Sequence, residues 1–511
     1  MLTKLFIHIH RILGLILCIL CFSWFISGIV MIYHSFPRVS QEDRFTRAEI
    51  LDTNGLPAIQ DVLLRLPAKT PTRGLSLNNP YGDPVFSIGG GRQSVELYAD
   101  TNVVAPVINY ALCENRAARW CADRKITRVD TLYALDQWIP LAHYKREFPI
   151  YKFYFDGPEK YQLYVSSRTA NILQFTDSDN RFWAWFGAIP HWVYFTVIRE
   201  NQNLWTQFMY WACYLGMFMC FTGFVLGIRS YWLARRKGFL RSPYKKRWFK
   251  WHHITGFFFG IFVFTWILSG YMSMAPLPSW LFGKQDSRGF RQSPAERQAP
   301  SPTDYALDYR KAITLTATPD DPVKTIEWTH YQGIPLYRLR TVSKEVTLDA
   351  STDTIRPFRI TEEMILAAVK RLAGDSTTYS ITKMNEYDNY YISRRRPLPL
   401  PVYKVTFDNK AKDCYYYNLE SFRPVHYDTN GRRKRWLYRG LHTLDIKFLV
   451  ERPALWTVVI WTLLLGGAVV SFTGIVLSVK YLKNRFIKFV KFIRLNSREI
   501  FGQNLSTALL S

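Results

Sequence analysis

The chain has 511 residues and carries 66 Lys and Arg against 40 Asp and Glu, a formal net charge of +26. Its mean hydropathy is −0.10. That length holds two or three domains, and the hydropathy leaves most of the mass outside a bilayer. The positive surplus does not point to nucleic acid, because it is concentrated beside long apolar runs, where anionic lipid head groups attract it.

Four stretches, near 11–33, 205–228, 254–275 and 455–479, contain no Asp, Glu or Lys, and each is long enough to cross about 30 Å of hydrocarbon. The predicted organisation is a first transmembrane helix 5–34, an outer domain 35–203, a second helix 204–229, a basic loop 230–251, a third helix 252–275, a second outer domain 276–453, a fourth helix 454–480 and a basic tail 481–511. The first span is too long for a signal peptide, and no small-residue cleavage site follows it, so it is expected to be retained. Lys4, Arg11, the basic loop and the basic tail belong on the cytoplasmic side by the positive-inside rule. Both termini then lie in the cytoplasm and both large domains in the periplasm, as expected of a multi-pass protein of a bacterial inner membrane. Cys18, Cys21, Cys213 and Cys220 fall in the spans and read as small apolar fillers. Cys113 and Cys121, eight residues apart, lie in the first outer domain, where a disulfide is permitted; the spacing leaves that pairing open.

The chain repeats itself. HRILG at 10–14 and HHITG at 252–256 are each followed by a Ser-Gly pair, Ser27-Gly28 and Ser269-Gly270, with Trp24 matching Trp266, all at an offset of 242. At an offset of 251, Trp185, His191, Trp205-Thr206 and Phe221-Thr222-Gly223 match Trp436, His442, Trp456-Thr457 and Phe472-Thr473-Gly474. At 252, PIYKFYFD at 149–156 matches PVYKVTFD at 401–408. The expected architecture is therefore a four-helix transmembrane bundle built by internal duplication, each half running span, outer domain, span. In the outer domains TRAEILDTNGLPAIQDVLLRL and TEEMILAAVKRL show helical spacing. VELYADTNVVAPVI, YQLYVSSRTANILQF, VTLDASTDTIRPF and CYYYNLESFRPVHY read as strand, polar turn, strand. These are α+β signatures. Residues 285–304, rich in Pro, Ser and Arg, read as a linker.

A His opening a span as HRxxG, a Ser-Gly pair near its far end, these hairpins, and a His before a span that ends in Thr-Gly together resemble the PepSY-associated transmembrane family, over nearly the whole chain. The members it compares with are inner-membrane ferric-siderophore reductases of the FoxB type. That resemblance implies PepSY-like outer domains, two haem b groups and electron delivery to a ferric siderophore or ferric chelate in the periplasm.

The histidines give this reading its candidate residues. His10 and His252 are repeat equivalents at the inner ends of spans one and three. His191 and His442 are repeat equivalents shortly before spans two and four. Haem iron in an electron-transfer site takes two axial ligands, commonly imidazole, and helix bundles supply them from facing helices. Pseudo-twofold symmetry pairs His10 with His252 and His191 with His442. His34, at the outer end of the first span, has no repeat equivalent and stands as an alternative outer ligand. His253 is the alternative to its neighbour His252. His8 falls on another face, and His143, His330 and His426 lie in the outer domains. His10 and His34 are 24 residues apart, about 36 Å along a helix, so ligands at those depths serve two centres. The small residues Gly14, Gly28, Gly223, Gly256, Gly260, Gly270 and Gly474 suit either a flat macrocycle or close helix packing.

No GxGxxG follows a strand, and no GxxxxGK[ST] or HExxH occurs. Electrons are then expected from an outside donor: a quinol, a flavoprotein or a small reductant. Arg394, Arg395 and Arg396 beside Tyr390 and Tyr391, with Tyr144, Lys145 and Arg146 at the equivalent place, suit an anionic iron chelate or a solvated cationic turn. The main reading is a haem-dependent transmembrane ferric-siderophore reductase in which no side chain does acid–base catalysis. Its rivals are a cofactor-free anchored binding or sensing protein, and a haem electron carrier for another periplasmic partner.

Overall fold

The computed structural model describes residues 2–508 except 68–73, 81, 90–94, 101–106, 237–241, 277–278, 280–299 and 375–376; of 491–508 only the backbone is described. Most of the expected linker 285–304 and part of the basic loop lie outside the described residues.

Four helices are long and apolar enough to cross a membrane: α1 (Leu2–Met31), α2 (Gln202–Arg236), α3 (Arg247–Met274) and α4 (Pro453–Ala508), the last with its apolar stretch within Pro453–Val490. Their starts follow local chemistry. Asn201 caps α2, its side-chain oxygen accepting from the backbone of Asn203 and Leu204. α4 opens on Pro453, where a missing N–H costs nothing. The bundle core joins Leu17, Cys21 and Phe25 of α1 to Cys213, Val263, Trp266, Ile267, Trp456, Ile460 and Leu464. These helices, with 182–277 and 434–453 between them, form one compact unit.

Residues 37–181 and 278–433 form the second unit, and here the expected division into two separate outer domains needs correction. Strands β1 (Ser76–Asn78), β2 (Val85–Ile88) and β3 (Val95–Tyr98) of the first segment share one sheet with β8 (Val323–Tyr331), β9 (Ile334–Thr341), β10 (Glu345–Asp349) and β11 (Arg356–Pro357) of the second. The junction is an antiparallel β1–β8 pair, Leu77 opposite Ile326. A single core of Leu77, Phe86, Ile326, Tyr337 and Leu339 lies against it. Burying both segments' apolar faces in one core is what merges them. The expected boundaries also move inward, because 182–203 and 434–453 belong to the helical unit.

The other two sheets are antiparallel meanders with the same order. They are β4 (Ile126–Leu132), β5 (Ile150–Phe155), β6 (Gln162–Ser166), β7 (Ile172–Thr176) and β12 (Tyr379–Met384), β13 (Val402–Phe407), β14 (Cys414–Asn418), β15 (Val425–Tyr427). Each carries a lysine held the same way, Lys152 buried and Lys404 half-buried. Lys152 and Tyr164 reach Asp136 at 2.9 and 2.7 Å, and Lys404 and Tyr416 reach Asp388 at 3.0 and 2.7 Å. A cation in a sheet core needs such a partner, and the equivalent residues lie 252 apart.

The expected helix at TEEMILAAVKRL is Glu362–Ala373, capped by Thr361. The stretch TRAEILDTNGLPAIQDVLLRL is not one helix. It breaks between Gln41–Arg47 and Ile59–Leu64, where Gly55 takes φ +76 and Pro57 follows. Cys113 and Cys121 are free thiols. They stand at the two ends of helix Tyr110–Trp120, about 12 Å apart along its axis, beyond disulfide reach. Arg394, Arg395 and Arg396 are exposed, and Arg146 pairs with Glu147 at 3.2 Å.

Candidate functional site

In the helical unit the four candidate histidines come together as two pairs. The ring centres of His10 and His252 are 6.2 Å apart, and those of His191 and His442 are 6.1 Å apart. His10 and His252 sit on α1 and α3. His191 and His442 sit on short segments that fold back onto those same helices. A helix running straight from His191 into α2 would carry the ring about 20 Å beyond the span. The chain prevents that. Helix Ala188–Trp192 ends at Val193 in the left-handed region, φ 53, and the second repeat turns at Leu444, φ 51. Bulky residues adopt that conformation at a cost of about 1–2 kcal/mol, and its recurrence 251 residues apart marks a shared constraint. Two indoles brace the turns: Trp205 donates to the carbonyl of Trp192 at 2.8 Å, and Trp456 to that of Thr443 at 3.1 Å.

Every one of the four rings rests on a Ser-Gly or Thr-Gly step of a long helix. The Nδ1 of His191 meets Ser27 Oγ at 3.1 Å, that of His442 meets Ser269 Oγ at 3.0 Å, and that of His252 meets Thr473 Oγ1 at 2.9 Å. The Nδ1 of His10 meets the Met219 carbonyl at 3.0 Å and Thr222 Oγ1 at 3.4 Å. Each hydroxyl has already committed its hydrogen. Ser27 donates to Trp24 O at 3.2 Å, Ser269 to Trp266 O at 3.0 Å, Thr222 to Met219 O at 2.9 Å and Thr473 to Val470 O at 2.8 Å. An oxygen that has given its proton to a carbonyl three residues back can only accept from the ring. The Met219 carbonyl can only accept, so the Nδ1 of His10 carries the hydrogen and its Nε2 presents a lone pair; the same tautomer in His191, His442 and His252 lets each hydroxyl serve both the carbonyl and the ring.

The following glycine packs against each ring, and at Gly223 its missing side chain makes room for it. A Cβ at Gly28, Gly270 or Gly474 would lie 3.6, 3.7 or 3.6 Å from the Cε1 of His191, His442 or His252, and at Gly223 it would lie 2.7 Å from the Cε1 of His10. Burial pushes the His191 imidazole down to about 3, with His442 beside it adding to the effect, and burial pushes His442 down to about 4. Protons therefore do not compete for this pair's lone pairs near neutral pH.

The pairs lie at opposite ends of the bundle. From His10 to Ser27 on α1 and from His252 to Ser269 on α3 is 17 residues in each case, about 25 Å of helix. A cavity of 1020 Å³ opens beside the His10–His252 pair. A Cβ at Gly14, Gly227 or Gly256, all in its wall, would meet nothing within 4 Å.

The two alternatives go elsewhere. His34 stacks on Trp183, ring centres 4.5 Å apart and 11° from parallel. His253 meets Ser242 Oγ at 3.0 Å and the Gly227 carbonyl at 3.3 Å, against Tyr231. The sequence contains the Ser-Gly and Thr-Gly steps as repeat landmarks; their task as hydrogen-bond partners emerges only with the fold. Among the described residues, no three of His, Cys, Asp and Glu converge on a metal position.

A family model described as the PepSY-associated TM region matches residues 7–480. The chain belongs to that family. The match takes in all four long helices, both imidazole pairs and both segments of the second unit, so this PepSY-associated chain is a membrane protein with α+β regions. No curated protein matches it.

The hydroxyls give a direct test. Ser27→Ala or Ser269→Ala removes the hydroxyl that holds one ring of the His191–His442 pair. Losing such a supporting hydrogen bond costs about 10–100-fold in affinity for whatever the ring ligates, whereas Ser→Thr keeps it. Titration of ligand retention in the three chains checks this, and equal retention in all three would show that the hydroxyls only cap their own helices.

Proposed function

We propose that the chain is a di-haem b oxidoreductase that carries electrons across a bacterial inner membrane and reduces a ferric siderophore in the periplasm, releasing Fe(II). The observation that carries this reading is the spacing of the two imidazole pairs. With ring centres 6.2 and 6.1 Å apart, His10 with His252 and His191 with His442 would each have room to hold one iron between two imidazoles. The donor set argues for a macrocycle. A bare ion takes four or more protein donors, whereas a haem brings four in-plane nitrogens and asks the chain for two. The glycine wall beside His10 and His252 suits a flat ring.

His10 and His252 would hold one haem, and His191 and His442 the other. A bound b-type haem supplies reversible one-electron exchange. The chain's own part is to fix four imidazoles, exclude water with Phe25, Trp266 and Leu464 in the core between the pairs, and place the two centres toward opposite membrane faces. Ferric iron bound by hard oxygen donors loses affinity on reduction, so electron delivery alone frees it, and no proton donor is required. The matched offsets of 242, 251 and 252 support an internal duplication. The basic loop and tail support cytoplasmic termini. The electrons would come from a quinol, a flavoprotein or a small reductant.

The purified protein should be red, with two haems per chain by pyridine haemochrome and a sharp band in the visible region on reduction. Well under one haem per chain, after expression with added haem, would instead favour a cofactor-free anchored binding protein.

A further inference from the structure

The cavity beside His10 and His252 is lined largely by apolar and small residues, Cys21, Val263 and Val470 among them. The exposed Arg11, Lys246, Arg247 and Lys480 stand at its mouth, and among the described residues no Asp or Glu lines it. Among the described residues these four cations make no ion pair; Arg11 lies over the Tyr481 ring at 4.9 Å, and Arg247 and Lys480 lie over Trp248 at 6.0 and 5.5 Å. Their placement follows the ligands. Lys246 and Arg247 precede His252 by six and five residues, about 8–9 Å along α3. Lys480 follows Thr473, the residue that holds His252, by seven residues on α4, about 10 Å. Arg11 adjoins His10 on α1. Four unpaired cations on one side of an imidazole pair, at the mouth of an apolar slot, are complementary to a flat apolar ligand with carboxylates at one edge.

We propose that Arg11, Lys246, Arg247 and Lys480 seat the two propionates of the haem held by His10 and His252, turning its carboxylates toward the end of the bundle where the basic loop and tail lie. This rests on the di-haem reading. The anionic head group of a lipid presents related chemistry, and the test separates the two sources.

Full-length apo-protein in nanodiscs, with and without anionic lipid, is loaded with haem b or with its dimethyl ester, which has the same ring and iron but no carboxylates. The inner fraction is the one missing from the His10→Ala chain. Its loss to a soluble haem scavenger is timed in the natural chain and in the chain carrying Arg11→Gln, Lys246→Gln, Arg247→Gln and Lys480→Gln. In the natural chain the ester should leave roughly threefold to tenfold faster than haem b, as expected when exposed cations lose their carboxylate partners. In the substituted chain haem b should leave as fast as the ester, whatever the lipid. An ester penalty that survives the four substitutions would place the carboxylates elsewhere and overturn the proposal. So would a substitution effect that appears only with anionic lipid. Absence of any inner fraction in the natural chain would instead remove the haem reading beneath it.

Discussion

On the proposed di-haem reading, replacing His191 or His442 by Gly should leave one haem per chain in place of two, and should abolish reduction of a ferric chelate. The same holds for His10 and His252 at the other end, because the two centres act in series. An axial ligand is a direct bond to iron, so its loss exceeds the roughly 10–100-fold cost of losing a supporting hydrogen bond. The rings are neutral, since burial holds His191 and His442 well below their ordinary values. Removing one therefore leaves no uncompensated buried charge to unfold the helical unit. Free imidazole added to the His191→Gly chain should restore the second haem and its low-spin spectrum, which a merely structural histidine would not allow. His34→Ala should keep two haems, because His34 is stacked on Trp183 and away from either pair. His253→Ala should keep two as well. Two haems retained in His191→Gly, or one lost in His34→Ala, would refute the outer assignment.

The repeat was legible in the sequence because its landmarks recur at fixed offsets: His10 and His252, Ser27-Gly28 and Ser269-Gly270, Thr222-Gly223 and Thr473-Gly474. Pairing the histidines by symmetry needed nothing more. The descent of His191 onto Ser27 was not legible. It depends on Val193 and Leu444 turning through a left-handed conformation that valine and leucine rarely take, and no local preference announces it. Helical spacing alone projects His191 away from the bundle, which is why His34 stands as the reserve ligand. The joint sheet was hidden for a different reason. The β1–β8 pair joins Leu77 to Ile326 across some 250 residues, and strand patterns specify which face is buried without specifying the partner. The meanders β4–β7 and β12–β15 were easier, since each strand pairs with its neighbour in sequence.

Glycine 223 offers the sharpest test of how the inner ring is held. A Cβ there would stand 2.7 Å from the Cε1 and 3.2 Å from the Nδ1 of His10, inside van der Waals contact, so the ring or the helix must move. The ring is not a loose end, because its Nδ1 is fixed to the Met219 carbonyl at 3.0 Å on the same helix that carries Gly223. At Gly28, Gly270 and Gly474 the corresponding distances of 3.6, 3.7 and 3.6 Å are ordinary contacts, so a methyl group is accommodated. In a helix interior Ala is favoured over Gly by roughly 0.5–1 kcal/mol, which opposes any loss of helix stability at all four positions. Gly223→Ala should therefore displace His10 and lose or weaken the inner haem while the helices stay folded. Gly270→Ala should keep both haems with an unchanged reduced spectrum. Haem content and circular dichroism on the two chains separate these effects. If Gly223→Ala holds two haems with natural spectra, the close approach does not limit the ring, and the glycine serves helix packing alone.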